Sequence, residues 1–316
     1  MRSAASQNVA IELSAVIVAD SECGPQVMIL PGRALPSGPF GTQHRTLEQG
    51  LRAWVEAQSG LKLGYVEQLY TFADKDRTEG IRRVMSIGYL ALVHAPAAIM
   101  EETGQLKTAP WYDFFPWEDR RKGVPQPITT TIMRGLARWK NASADTATRK
   151  VRESRITINF PKDPRAWNEE LVLQRYELLW EAGLIEEAHR SMPKKSGAKD
   201  SISSPGMPGL SMPHDHRRIL ATAMARLRAK IKYRPVVFEL MPDRFTLLQL
   251  QNTVEALAGL RLHKQNFRRL VQGQGLVEET GGHSHDTRGR PAQLYAFRRE
   301  VLRERAAAET KLPRGA

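Results

Sequence analysis

At 316 residues, 41% of them apolar, the chain is long enough for two domains with real cores and a smaller third piece. No uninterrupted apolar run approaches the ~20 residues of a membrane span, and no apolar segment before Ile11 has the form of a secretion signal. A single cysteine, Cys23, excludes an internal disulfide framework and a paired-cysteine zinc site, so a cytoplasmic protein with no membrane partner is expected.

Residues 1–8 read as an unstructured leader. Strands are expected at 11–19 and 27–30, then a Pro/Gly-rich loop over 31–41. A helix follows over 46–59, with Leu47, Leu51, Trp54 and Val55 inward and Gly60 as its stop. Strands at 65–72 and 84–93, the latter almost wholly apolar and so central, complete a sandwich. The aromatic run Trp111-Tyr-Asp-Phe-Phe-Pro-Trp is expected to cover the sheet or the domain junction, because a string of exposed aromatics would aggregate. Helices are expected at 128–139, from Trp167 to about 182, and at 184–190. Residues 192–213 have linker composition. His214, Asp215 and His216 are a weak metal signal, and capping of the next helix is the better expectation. That helix, 216–231, carries Leu220, Met224, Leu227 and Ile231 at helical spacing and is expected to open the last domain; a charged helix over 298–309 closes it.

The net charge of +13 is unevenly placed: residues 214–316 hold 20 Lys/Arg against 10 Asp/Glu, leaving about +3 for everything before. Such asymmetry is the footprint of a nucleic-acid module joined to a near-neutral domain. Thr246-Leu-Leu-Gln249 has the form of a capping box, and Leu247, Leu250, Val254 and Leu257 run on at helical spacing to Gly259. A second helix begins near Leu262, with Phe267, Leu270 and Val271 as its apolar stripe. Gln265, Arg268, Arg269 and Gln272 fall opposite, flanked by Lys264 and Asn266. These are residue types that read base edges and hold phosphates. Strands at 276–277 and 293–297 then flank a tip carrying Arg288 and Arg290, which makes a winged helix-turn-helix. Either helix alone could be an ordinary amphipathic helix with a solvated face; the ordered set favours DNA. Thr246, Lys264, Gln265, Asn266, Arg268, Arg269, Arg288 and Arg290 are the candidate DNA contacts.

Leu30-Pro31-Gly32, a helix, then Ser59-Gly60-Leu61 resembles a Nudix fold. Tyr65-Val-Glu-Gln-Leu-Tyr-Thr-Phe and Ser86-Ile-Gly-Tyr-Leu-Ala-Leu-Val resemble the Nudix-related transcriptional regulators of bacterial NAD metabolism. Arg226-Leu-Arg, Lys230-Ile-Lys-Tyr-Arg-Pro, Phe245-Thr-Leu-Leu-Gln-Leu-Gln, Asn266-Phe-Arg-Arg and Gly289-Arg-Pro-Ala-Gln-Leu-Tyr-Ala-Phe resemble the same family's winged helix, nearest to the alphaproteobacterial NAD repressor type. The resemblance covers roughly 9–125 and 214–300. It implies an α+β protein: a Nudix-like α/β/α sandwich that senses an effector (9–125), a helical middle segment (126–191), a linker (192–213) and a winged helix-turn-helix domain (214–316).

An active Nudix box, Arg-Glu-x-x-Glu-Glu-x-Gly, converges carboxylates one turn apart on Mg²⁺. Aligned back from Gly60, the three ligand positions here are Trp54, Ala57 and Gln58, while Glu56 fills the variable slot and Glu48 lies over two turns away. Hydrolysis by the family route is therefore expected to be lost, with no metal and no cofactor. Tyr70 and Phe72 are candidates to stack on adenine, and Arg33, Arg82 and Arg83 to hold phosphates; Glu67 and Gln68 are either ribose contacts or plain strand residues. The family implies a repressor of NAD biosynthesis or salvage genes, a homodimer on a palindromic operator, responding to ADP-ribose, NAD or ATP. The alternatives are a Nudix-type hydrolase of ADP-ribose or a related nucleoside diphosphate derivative, and a non-specific basic nucleic-acid protein.

Overall fold

Alternation along the first strand decides how the amino-terminal half is layered. In a computed structural model, which describes residues 9–21, 23–73, 78, 79, 82–94, 106–190, 207–284 and 291–301, strand β1 (Val9–Ala19) sends Leu13, Ala15, Ile17 and Ala19 to one side. Val16 and Val18 go to the other, as a period of two requires. The sheet order is β4-β6-β1-β2-β7, with β2 at Gln26–Ile29, β4 at Val66–Phe72, β6 at Arg82–Leu92 and β7 at Lys107–Pro110. β1 and β6 are the parallel pair. The short β3 (Ser37–Pro39) and β5 (Thr78–Glu79) pair with β1 and β6.

Helix α1 (Leu47–Ser59) covers the first face through Leu51 and Val55. The Thr46 hydroxyl accepts from Gln49 N at 3.2 Å and Gly60 ends the helix at φ 66°, a left-handed stop. The box positions lie here: Trp54 packs beneath Gly38, whereas Glu56, Ala57 and Gln58 face solvent. Among the described residues no group of three or more His, Cys, Asp or Glu could hold a metal ion.

The second face is closed by parts distant in sequence. After β7 a short helix, α2 (Trp111–Phe114), begins the aromatic run, and Trp111, Phe114, Phe115 and Trp117 are all 0% exposed. The middle segment runs from a π turn (Ile128–Ile132) into α3 (Met133–Asn141), then α4 (Thr146–Asn159), α5 (Val172–Glu181) and α6 (Glu186–Arg190). Helix α4 escaped the sequence reading because it buries only Ile156 and Asn159, too few to register as a stripe; its signal was the cap, Asp145 Oδ1 accepting from Thr148 N at 2.8 Å. Helix α5 begins at Val172 rather than Trp167, since Asn168 folds its side chain onto Glu170 N at 2.9 Å and makes a turn first.

Helix α7 (His216–Tyr233) was expected to open the winged domain, yet it lies across β1, β4 and β6 and along α5 as well as touching the winged domain. Its Leu220, Met224 and Leu227 are fully buried. Nor does its start follow expectation: Asp215 makes no side-chain cap, and His216 Nδ1 instead accepts from Leu35 N at 2.9 Å. The winged domain follows as α8 (Leu247–Ala258), α9 (Lys264–Gly273), β8 (Val277–Ser284) and β9 (Ala292–Phe297). No helix of the described residues is long and apolar enough to cross a membrane. The expected leader (1–8), most of the linker (192–206) and most of the terminal helix (302–309) lie outside the described residues.

Candidate nucleic-acid interface and effector face

The capping box at α8 is complete. Thr246 Oγ1 accepts from Gln249 N at 3.2 Å, and Gln249 Oε1 accepts from Thr246 N at 2.7 Å. Thr246 is consequently buried, its hydroxyl spent on the helix, so among the candidate contacts it sets the helix rather than facing outward. At the other end Gly259 takes φ 70°. Glu255 then shapes the turn: its carboxylate accepts from Leu262 N at 2.9 Å, Gln251 Nε2 at 2.9 Å and Arg261 Nη1 at 2.7 Å. Burial opposes its ionisation, but those three donors outweigh burial and hold its pKa below the ordinary value. The sequence reading missed Glu255 because a glutamate on a helix carries no signal until its partners converge.

Helix α9 rests on Phe267 and Val271, both buried. Lys264, Gln265, Asn266, Arg268, Arg269 and Gln272 are all exposed, so the outward face has the composition expected of a groove reader. Leu270 departs from the apolar stripe expected of it: it is 57% exposed, because it lies about 80° from the line that Phe267 and Val271 bury. The wing is an antiparallel pair, broken in register between Glu279 and His283. It is tied to the domain by the Phe245–Tyr295 bridge and by Phe238 stacked on Phe297 at 4.2 Å. Arg288 and Arg290 lie outside the described residues.

The helix-turn-helix is bolted to the sheet domain. The last carbonyls of α8 have no partner within the helix, and they are met from outside. Tyr112 Oη donates to Ala256 O at 2.6 Å, Arg228 Nε to Leu257 O at 2.9 Å, and Arg120 N to Gly259 O at 2.8 Å. Thr253 Oγ1 donates to Asp20 Oδ2 at 2.5 Å, at the end of β1. Behind these contacts Glu118 is fully buried, taking Arg175 Nε at 2.6 Å, Arg175 Nη2 at 2.8 Å and Arg228 Nη1 at 2.7 Å. One carboxylate thus joins the aromatic loop, the middle segment and α7. A methyl at Gly259 would strike the Glu118 carbonyl oxygen and approach Arg228 Nη2 and Tyr112 Oη within 2.9 Å. Gly259→Ala is therefore expected to cost more than the ~1–2 kcal/mol of left-handed strain alone, read as a lower urea midpoint; an unchanged midpoint would contradict the contact.

The proposed effector residues do not converge. Tyr70 is 54% exposed on edge strand β4, with the Arg226 guanidinium 5.7 Å from its ring centre. Phe72 packs on the same face, below Gly88 and near Ile219. A crevice of about 380 Å³ opens beside Tyr70, Leu171, Gln174, Thr222 and Arg226. Arg33 follows β2, three strands from β4 and so about 14 Å across the sheet; burial works against the charge on Glu186, but hydrogen bonds from Ser211 and Arg190 and the Arg190 charge, with a smaller pull from Arg33, hold its pKa below the ordinary value. Arg83 donates to Ala73 O at 3.0 Å; the side chain of Arg82 lies outside the described residues. Glu67 is held by Lys230 at 2.8 Å and Tyr65 Oη at 2.8 Å, a tie between sheet and α7, while Gln68 accepts from Tyr89 Oη at 3.3 Å.

Sheet, covering helices and exposed basic helix together define a Nudix-like sandwich carrying a winged helix-turn-helix. Residues 237–297 match the NrtR DNA-binding winged helix domain. The chain is 34% identical over 139 residues, 44% of its length, to the ADPR responsive transcriptional repressor NtrR of Acinetobacter baylyi, and the match spans about half of that relative (52%). Its fold is that of Shewanella oneidensis NrtR. The crystal structure of that protein with a 27mer DNA aligns at TM-score 0.54 and 19% identity over 93% of this chain and 95% of the other. The structure of NrtR alone aligns at 0.52 and 18%, over 91% and 94%.

Proposed function

We propose that the chain is a transcriptional repressor of NAD biosynthesis or salvage genes that binds inverted-repeat DNA as a homodimer and answers to an adenine nucleotide, ADP-ribose first among the candidates. The observation that carries this is the exposed row Lys264, Gln265, Arg268 and Arg269 on α9, seated on buried Phe267 and Val271. It lies in a segment that matches the NrtR DNA-binding domain. A single such helix touches few bases, each good bidentate contact contributing ~1–3 kcal/mol of discrimination. Two copies on half-sites one or two helical turns apart supply usable specificity.

Residues 9–125 act as sensor, 126–191 as brace and 214–316 as reader, with α7 shared between sensor and reader. Tyr70, Phe72 and Arg83 line the effector side, and Arg288 and Arg290 serve the wing. The sensor binds without turnover: Trp54, Ala57 and Gln58 offer no carboxylate where the box needs three. A protein of this kind works in the cytoplasm. The effector must bind one arrangement of the paired readers better than the other, since equal affinity for both shifts nothing.

Fluorescence anisotropy against inverted repeats upstream of NAD-biosynthesis genes is expected to show preference over random duplex. ADP-ribose, NAD or ATP is expected to change that affinity by severalfold. A chain that binds all duplexes alike is a non-specific basic protein, and one that cleaves ADP-ribose to AMP and ribose 5-phosphate with Mg²⁺ faster than its Glu56→Gln variant is a hydrolase; either outcome sinks the proposal.

A further inference from the structure

We infer that the DNA-contacting surface extends beyond the winged helix to the basic turn Arg120–Arg121–Lys122 of the sheet domain, with Lys122 as a phosphate contact. This rests on the repressor proposal. The turn closes with Gly123 N donating to Arg120 O at 3.0 Å, and Arg120 N is itself bonded to Gly259 O at 2.8 Å. Gly259 is the stop of α8, five residues before Lys264 opens α9, so the sheet domain's basic turn is fastened to the helix-turn-helix turn itself.

Rigidity here comes from several sides. Arg120 stacks over Trp167 at 4.2 Å, and Arg121 is held by Asp119 through Nε at 2.9 Å and Nη2 at 2.8 Å while lying over Tyr112. Those two side chains are committed to the protein. Lys122, at the tip, is exposed. Across the junction Arg261 is 65% exposed, with Lys264 beyond it, also exposed. The nearby carboxylates are engaged within the protein, Asp119 and Glu255 each by an arginine and Asp20 by the Thr253 hydroxyl. What remains toward solvent is an excess of positive charge on either side of the entry to the reading helix. A polyanion whose charges repeat along a rigid duplex fits such a patch.

A lysine holding one phosphate contributes without regard to sequence, and its loss lowers the salt dependence by about 0.9 per contact. In the proposed dimer, Lys122→Ala in the full chain is expected to reduce the slope of log K against log[salt] by about 1.8, so that wild type loses about 12-fold more affinity than the variant between 50 and 200 mM salt. Base preference is expected to stay as in wild type. Lys150→Ala is the control: this exposed lysine sits on α4, which packs on α3 and α5, and its removal is expected to leave the slope alone. Equal slope changes for both variants, or none for Lys122→Ala, overturn the inference while leaving the repressor proposal standing. A wild-type chain with no inverted-repeat preference would instead overturn the repressor proposal.

Discussion

Glu118→Gln is expected to destabilise the folded protein by about 3–5 kcal/mol, the usual effect of removing one partner from a buried ionic cluster. The variant leaves Arg175 and Arg228, both fully buried, sharing a neutral amide. Glutamine would also aim an amide NH₂ at a guanidinium, a donor facing donors. The loss should appear as a lower urea midpoint by circular dichroism. It should also loosen the reader, because Arg228 holds Leu257 O at the end of α8; operator affinity is expected to fall even where most of the chain remains folded. A midpoint equal to wild type would show that the cluster contributes nothing.

The same carboxylate sets a pH dependence. Burial disfavours its charge, but the two arginines and their hydrogen bonds outweigh burial and hold the Glu118 pKa below the ordinary carboxylate value. A depressed folded-state pKa gives stability that is present above the unfolded value, about 4.3, and is lost as pH falls through the folded one. Wild type should therefore lose stability on acidification through that window more steeply than Glu118→Gln, which has no proton to take up there.

Arg269→Ala is expected to weaken binding to the preferred inverted repeat by about 5- to 150-fold per half-site, the range of a lost bidentate base contact. The residue is exposed near the middle of the outward face of α9, and its only bond within that helix is a long one, Nη2 to Asn266 Oδ1 at 3.5 Å. Removing it should cost the fold little. Competition between the preferred site and variants at each base pair is the informative measurement: discrimination should relax at one position per half-site. A uniform loss across all sequences would assign Arg269 to the phosphate backbone, as is inferred for Lys122.

The order of elements was legible from the chain because each signal is local. A strand shows period two, as β1 does; a helix end shows in Thr46 with Gly60, or in Thr246 with Gly259, since caps and left-handed stops involve only near neighbours. The exposed reading face of α9 followed from the same arithmetic, although Leu270 did not, because its position beside the buried line was decided by what α9 packs against. Tertiary structure alone decided the rest. It placed α7 across the sheet, put Arg33 far from Tyr70, and gathered Glu118, Arg175 and Arg228, three residues spread over 110 positions, into one buried cluster. Glu118 looks like any loop glutamate until burial removes water from it and leaves two distant guanidiniums as its only means of staying charged. Partners of that kind are chosen by long-range packing, and no spacing along the chain records them.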